Sequence, residues 1–207
     1  MIKHHDFNVI HALILDDLDS PDFKGECRLG SSNENFGVSF CLEDINNNLC
    51  YYTNEEYAKD FYDWMIKGEN NMDDLIATYP HVSKFEHDGQ VAFSTYYGPR
   101  ILAQLDDAME TALKFRRRAT IHILEPRDKS LLKLSTTQEY PCAKDIQLLV
   151  RNGRLHMYVT MRSNNAEKVL PYDVYNFTRL QQHLCQMYGL AHGNYYHTAI
   201  SMHKFIK

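Results

Sequence analysis

Cys142 is the side chain from which chemistry can be read in this chain. It stands in Tyr140-Pro141-Cys142, just ahead of an apolar segment that starts at Ile146. Asn152-Gly153 turns the chain into a second segment ending in Met161-Arg162-Ser163-Asn164, and Leu170-Pro171-Tyr172-Asp173 follows. A thiolate is a nucleophile for electrophilic carbon, although a buried, inert thiol is the commoner fate of a cysteine in a cytoplasmic protein. Arginines are the second group. Arg28 lies in a glycine-containing loop, Arg117 and Arg118 stand between a helix and a strand, and Arg162 adjoins Ser163. Guanidinium forks match phosphate oxygens bidentately, and a phosphate dianion takes several of them. Arginines in loops are more often simply solvated. Asp173 precedes a helical run, where aspartate is a good N-cap.

These residues need elements to hold them. An amphipathic helix is predicted over residues 6–16, a polar loop over 20–35 and a strand over Phe36–Leu42. A helix runs from Asn54 through Ile66, with Thr53 or Asn54 as N-cap and Gly68 as its stop. Ile101 to Phe115 carries a second helical stripe through Leu105, Ala108, Met109 and Ala112. Arg118–Leu124 alternates as a strand. Ile146–Val150 and Leu155–Thr160 form a hairpin around Asn-Gly. Tyr175 to Gly189 reads as a third long helix and Tyr195–Phe205 as a last strand. Helices interleaved with strands predict a single α/β (α+β) domain over 1–207, a twisted mixed sheet flanked by helices.

Composition sets the bounds. The 207 residues are 44% hydrophobic, 24% charged and 12% aromatic, with a net charge of −5. That balance argues against a surface that coats nucleic acid. No apolar run is long enough to span a membrane, and the start, Met1-Ile2-Lys3-His4-His5, lacks the apolar core of a signal peptide. Five scattered cysteines (27, 41, 50, 142 and 185) without a C-x-x-C pair fit reduced thiols in a cytoplasmic setting. The eleven histidines form no zinc-type pair, so no metal site is expected.

The spacing of Cys142, Asn152-Gly153, Arg162-Ser163 and Pro171-Tyr172-Asp173 resembles the thymidylate synthase family, and within it the hydroxymethylases that act on cytidylates. The resemblance covers most of the chain and is strongest from about Ala112 onward. It implies that Cys142 is the thiolate that adds to C6 of a pyrimidine, and that Tyr97, in Tyr96-Tyr97-Gly98, faces it. It implies a 5′-phosphate site made by Arg28, Arg162 and Ser163, with Arg117 and Arg118 entering from the other subunit of a homodimer. Asn165 falls where synthases place an aspartate near the base, and His203 matches the histidine that touches the sugar. Synthases carry Pro-Phe-Asn where this chain has Pro171-Tyr172-Asp173. A carboxylate there suits the cytosine 4-amino group and opposes O4 of uracil. Gln147 and Asn176 are further candidates for the pocket wall.

Three departures matter. The family's catalytic glutamate, three residues before a tryptophan, is Phe61 here, with Asp60 and Asp63 on either side and Trp64 as the tryptophan. Asp60 is the substitute we carry forward as a catalytic candidate. The chain stops at Lys207, where synthases continue into a segment that closes over folate. The tryptophan-rich cofactor segment is replaced by Val82-Ser83-Lys84-Phe85-Glu86-His87, and the histidine that follows the catalytic cysteine in synthases is Ala143 here. The expected activity is one-carbon transfer to C5 of dCMP or CMP, most simply hydroxymethylation, with 5,10-methylenetetrahydrofolate as donor. The alternatives are a nucleotide-binding relative without turnover and a synthase acting on dUMP.

Overall fold

The computed structural model describes residues 1–27, 30–85, 96–115, 117–133 and 140–206. Its elements run β1 (Ile2–His4), α1 (Phe7–Asp17), β2 (Phe23–Cys27), β3 (Gly30–Leu42), α2 (Glu55–Lys67), α3 (Asp73–Thr78), α4 (Tyr97–Leu102) and α5 (Leu105–Phe115). They continue with β4 (Ala119–His122), β5 (Ala143–Arg151), β6 (Arg154–Asn165), α6 (Leu170–Tyr188) and β7 (Ala191–Phe205), with 3-10 turns at Pro80–Phe85 and Pro126–Lys133. Among the described residues no helix is long and apolar enough to cross a membrane.

One mixed sheet carries the fold, in the order β1-β3-β7-β6-β5-β4, with β2 added on β3. The β5–β6 turn is set by its two residues. Asn152 and Gly153 have φ 51° and 71°, the paired positive values that a two-residue hairpin of this twist requires. β6 and β7 run parallel, so a helix must carry the chain back, and α6 does so. Inward-pointing residues of the sheet (Phe40, Ile146, Leu148, Met157, Val159, Tyr195) are fully buried. On the other face Leu149, Tyr158, Thr160, Tyr196 and Thr198 are only half-buried. There the Tyr158 and Tyr196 rings stack at 5.8 Å.

The structure corrects several boundaries. The stretch predicted as a loop over 20–35 is a hairpin: β2 pairs antiparallel with β3 from Phe23↔Glu34 to Cys27↔Gly30. Its polar residues carry little strand preference of their own, and β3 is held instead by its long pairing with β7. The helix predicted over Ile101–Phe115 is two. Gln104 ends the first by donating from Nε2 to the Arg100 and His122 carbonyls, each at 2.8 Å. α6 begins five residues earlier than its apolar stripe suggested, because Pro171 is tolerated in a first turn, where no intrahelical N–H bond is lost.

α2 shows the local logic most simply. Asn54 Oδ1 accepts from Tyr57 N at 3.1 Å, Glu55 and Glu56 occupy the positive end, and Gly68 closes the helix at φ 71°. α4 lies so close to α2 that a Cβ on Gly98 would fall 2.1 Å from the Met65 carbonyl oxygen. That contact fixes the helix carrying Tyr97.

α4 is pinned from the other side by a buried ion pair. Arg100 donates to both Asp128 carboxylate oxygens at 2.7 Å, and the side chains are 3% and 0% exposed. Asp128→Ala takes the bidentate carboxylate away from the buried guanidinium. We expect it to lower unfolding free energy by about 3–5 kcal/mol, read from urea melts.

Candidate active site

Cys142 lies at the entrance to β5. Its backbone N–H and that of Ala143 both donate to the Tyr97 hydroxyl oxygen, at 3.2 and 3.0 Å. The phenol thus caps the strand beside the sulfur, and its ring stacks on Phe177 of α6 at 6.2 Å. Arg162 sits on the other side. Its Nε donates to the Pro141 carbonyl at 2.9 Å, and its Nη2 to the Tyr140 carbonyl at 3.0 Å and to Cys142 Sγ at 3.5 Å. The guanidinium also lies over the Tyr140 ring at 5.0 Å. A fixed positive charge therefore stands where a thiolate needs one.

The next residues of β6 build the rest. Ser163 Oγ is 3.4 Å from His203 Nδ1. Ser201 pairs with Ser163 across the sheet and donates to Glu34. Burial lowers the pKa of His203; Arg162 acts in the same sense and Glu34 opposes it. Arg162, Ser163 and His203 thus lie near one another, on β6 and β7. Asn165 is spent locally: its Oδ1 accepts from the backbone of Glu167 at 3.1 Å and Lys168 at 2.8 Å, forming the turn into α6. Arg117 and Arg118 are exposed at the head of β4, with Arg118 over the Phe115 ring at 5.6 Å. Within this chain they do not reach the cysteine. Arg28, and residues 86–87 of the cofactor segment, lie outside the described residues.

Asp60 is not joined to the cysteine either. Its Oδ2 accepts from the Tyr79 hydroxyl at 2.8 Å, and it faces a cleft shared with Asp63, Trp64 and Asp74. Phe61, at the glutamate position, packs on Tyr57 and Trp64 at 5.8 and 5.4 Å. Gln147 is occupied by the Arg117 and Ala119 carbonyls.

Asp173 is not a helix cap. It lies inside the first turn of α6, nearly buried, and its Oδ2 accepts from Asn164 Nδ2 at 3.2 Å. Burial pushes its carboxyl up to about 7, against the opposing pull of the Asn164 donor. Asn164 Nδ2 is also 3.2 Å from His197 Nε2, and His197 Nδ1 is 2.9 Å from the Tyr195 hydroxyl. Asn164 and His197 were not singled out from sequence. The available signal was a tyrosine and a histidine at inward positions of a strand whose inward neighbours are apolar. Tyr172, Tyr57, Tyr79 and His81 form an aromatic wall beside Asp173, with the Tyr57 ring 4.9–5.2 Å from the other three.

The fold and this site define an α+β protein with a cysteine and an arginine at the entrance to β5 and a buried carboxyl in the first turn of α6. The comparisons are specific. Residues 62–206 match the family model for thymidylate synthase, so the chain belongs to the thymidylate synthase family. A protein of Methanocaldococcus jannaschii named "Putative thymidylate synthase" is 27% identical over 169 residues, covering 79% of this chain and 76% of that one. The thermostable thymidylate synthase A of Bacillus subtilis superposes with a TM-score of 0.72 at 18% identity, covering 97% of this chain and 80% of that one. The family transfers one-carbon units to C5 of pyrimidine nucleoside monophosphates, uses methylenetetrahydrofolate and commonly forms dimers.

Proposed function

We propose that this chain is a cytidylate-directed C5 one-carbon transferase, most simply a dCMP or CMP hydroxymethylase. The observation that carries the reading is the buried, protonatable Asp173 where a synthase has asparagine. Cytosine presents an acceptor at N3 and a donor at its 4-amino group. A neutral carboxyl is complementary to that edge: its O–H donates to N3 and its carbonyl accepts from the amine. Asn164 Nδ2 donates to Oδ2 and so confines the proton to Oδ1, which leaves uracil, with the reverse pattern, facing a mispaired buried group.

Cys142 Sγ adds to C6 of the base. The C5=C6 π pair moves to C5 and the N3–C4 amidine edge, where the Asp173 proton offsets the charge that develops on N3. Arg162 stabilises the sulfur anion before attack, and Tyr97 holds the strand entrance that aims it. Ser163 and His203 take the phosphate and sugar side, with Arg28 of the same chain and Arg117 and Arg118 of a partner completing the phosphate clamp. The half-buried outer sheet face around Tyr158 and Tyr196 supports a homodimer, which would cover it. The aromatic wall of Tyr57, Tyr79, His81 and Tyr172 fits a flat reduced pterin, and would hold one flank of it. Methylenetetrahydrofolate supplies the one-carbon unit when bound. Asp60 joins this wall through Tyr79 and so belongs to the cofactor side.

The test is tritium release from dCMP labelled at C5, with and without methylenetetrahydrofolate, beside dUMP labelled in the same way. Folate-dependent release from dCMP alone is the expected result. A second reading, a nucleotide-binding relative without turnover, is favoured by Phe61 at the glutamate position; tight dCMP binding without release from either label would establish it. Release from dUMP alone would return the chain to the synthases.

A further inference from the structure

The buried string Asp173–Asn164–His197–Tyr195 is longer than base reading by a single side chain requires. Asn164 and His197 are 2% and 0% exposed, Tyr195 is 0% exposed, and no two of the four are adjacent in sequence. The string takes one residue from β6, two from β7 and one from α6. Its geometry contains an oddity: Asn164 directs one nitrogen toward both Asp173 Oδ2 and His197 Nε2, while its own Oδ1 is buried without a partner. A buried amide with an orphan oxygen costs free energy unless a second arrangement uses that oxygen.

We propose that Asn164, His197 and Tyr195 are positioning residues that let Asp173 change between donor and acceptor, and so determine which pyrimidine edge the site reads. The proposal rests on the cytidylate reading above.

Two self-consistent states exist. When Asp173 is ionised, Asn164 Nδ2 donates to it and to the lone pair on His197 Nε2. The imidazole proton is then on Nδ1 and is donated to the Tyr195 oxygen. When Asp173 is neutral and no base is bound, its O–H needs an acceptor. A half-turn of the Asn164 amide presents Oδ1 to that O–H and to a proton on His197 Nε2, and the Tyr195 O–H donates to Nδ1. The states differ by one proton on the carboxyl, one amide rotation and one imidazole tautomer. His197 stays uncharged in both, because burial lowers it to about 3. Its ring stacks on Phe40 at 5.0 Å and 10°, which fixes its plane so that only its proton moves.

Among the described residues, the other groups facing Asp173 carry no positive charge. Tyr57 from α2 feels the carboxyl, and burial first, then Tyr172, Asp173 and Tyr79, push its hydroxyl well above the ordinary phenol range. Tyr195 from β7 is raised by burial and then by Asp173. With no cation facing it among the described residues, the direction of the Asn164 amide is the local control on whether the carboxyl keeps its proton.

The experiment is a nitrogen-15 titration of the His197 imidazole in the full-length protein between about pH 5 and 8.5, with the Asp173 carboxyl followed by carbon-13 in the same samples. The expected result is a change from the Nε2–H to the Nδ1–H tautomer with the same midpoint as Asp173. A single tautomer across the whole Asp173 transition overturns the proposal. Tyr195→Phe gives a second arm. It leaves a buried Nδ1–H without an acceptor, which is costlier than an idle lone pair. The variant should hold the Nε2–H tautomer and move the Asp173 midpoint up by about one pH unit; an unchanged midpoint in a folded variant overturns the coupling. Adding dCMP at pH 8 should return the proton to Asp173, seen by carbon-13, with the O–H on N3 of the base, Asn164 Nδ2 donating to Oδ2 and His197 held as Nδ1–H; bound dCMP with Asp173 still ionised overturns the base-reading role. A coupled tautomer switch in a protein that binds no cytidylate would sustain the string and sink the cytidylate reading instead.

Discussion

Cys142→Ser is expected to lower tritium release from C5-labelled dCMP by a factor on the order of 10⁴ or more, with dCMP affinity changed by less than about tenfold. The two effects separate because the groups assigned to binding do not depend on the sulfur. Ser163 and His203 lie 3.4 Å apart on β6 and β7 and are ordered by strand pairing. Asp173 is held by Asn164 from the core side. What the substitution removes is the sulfur assigned to bond C6. A serine hydroxyl next to Arg162 does not ionise near neutral pH as a thiol can, so the guanidinium has no anion to stabilise. The Tyr97 contacts survive, since they run to the backbone N–H groups of residues 142 and 143 rather than to the side chain. Isothermal titration with dCMP and the tritium assay on one preparation check both halves. Full release by the serine variant would remove Cys142 from the mechanism.

How much of this was legible in the sequence follows from the range of each interaction. The β5–β6 hairpin was, because Asn152-Gly153 is a local signal for the positive φ its turn requires. α2 was too, because its caps lie within three residues of its ends. Cys142, Arg162 and Tyr97 were named through a resemblance, but their geometry was not: Arg162, named for a phosphate, bonds the Tyr140 and Pro141 carbonyls and the sulfur. β2 and the first half of β3 were hidden because Gly-Ser-Ser-Asn-Glu-Asn has no strand pattern of its own. The start of α6 was hidden because Leu-Pro-Tyr-Asp reads as a turn until Pro171 is placed in the first helical turn. Asn164 and His197 were hidden most deeply. They stand 33 positions apart, and only the parallel pairing of β6 with β7 brings them together.

Asp173→Asn is expected to do two things at once. The first is to reverse base preference, from cytosine toward uracil, by about 100-fold in the ratio of affinities, the ~3 kcal/mol of one mispaired buried polar group. The second is to stabilise the fold in a pH-dependent way. The Asp173 carboxyl rises from the ordinary 3.8 to about 7 in the folded chain, mainly through burial. The folded state therefore binds this proton more tightly than the unfolded state. Its contribution to stability is fully present below about pH 4 and is lost as pH rises through about 7. Asparagine carries no such proton. The variant should match the wild type near pH 4 and exceed it at pH 8, by an amount on the order of 4 kcal/mol for a shift of about three units. His197 works in the opposite sense. Burial lowers it from 6.5 to about 3, so its contribution is lost as pH falls below about 6.5. It is common to both proteins, so the difference between their urea midpoints isolates the carboxyl. A difference that grows toward low pH, or none at all, would mean that Asp173 is ionised in the folded protein. The neutral carboxyl on which cytosine recognition depends would then be absent.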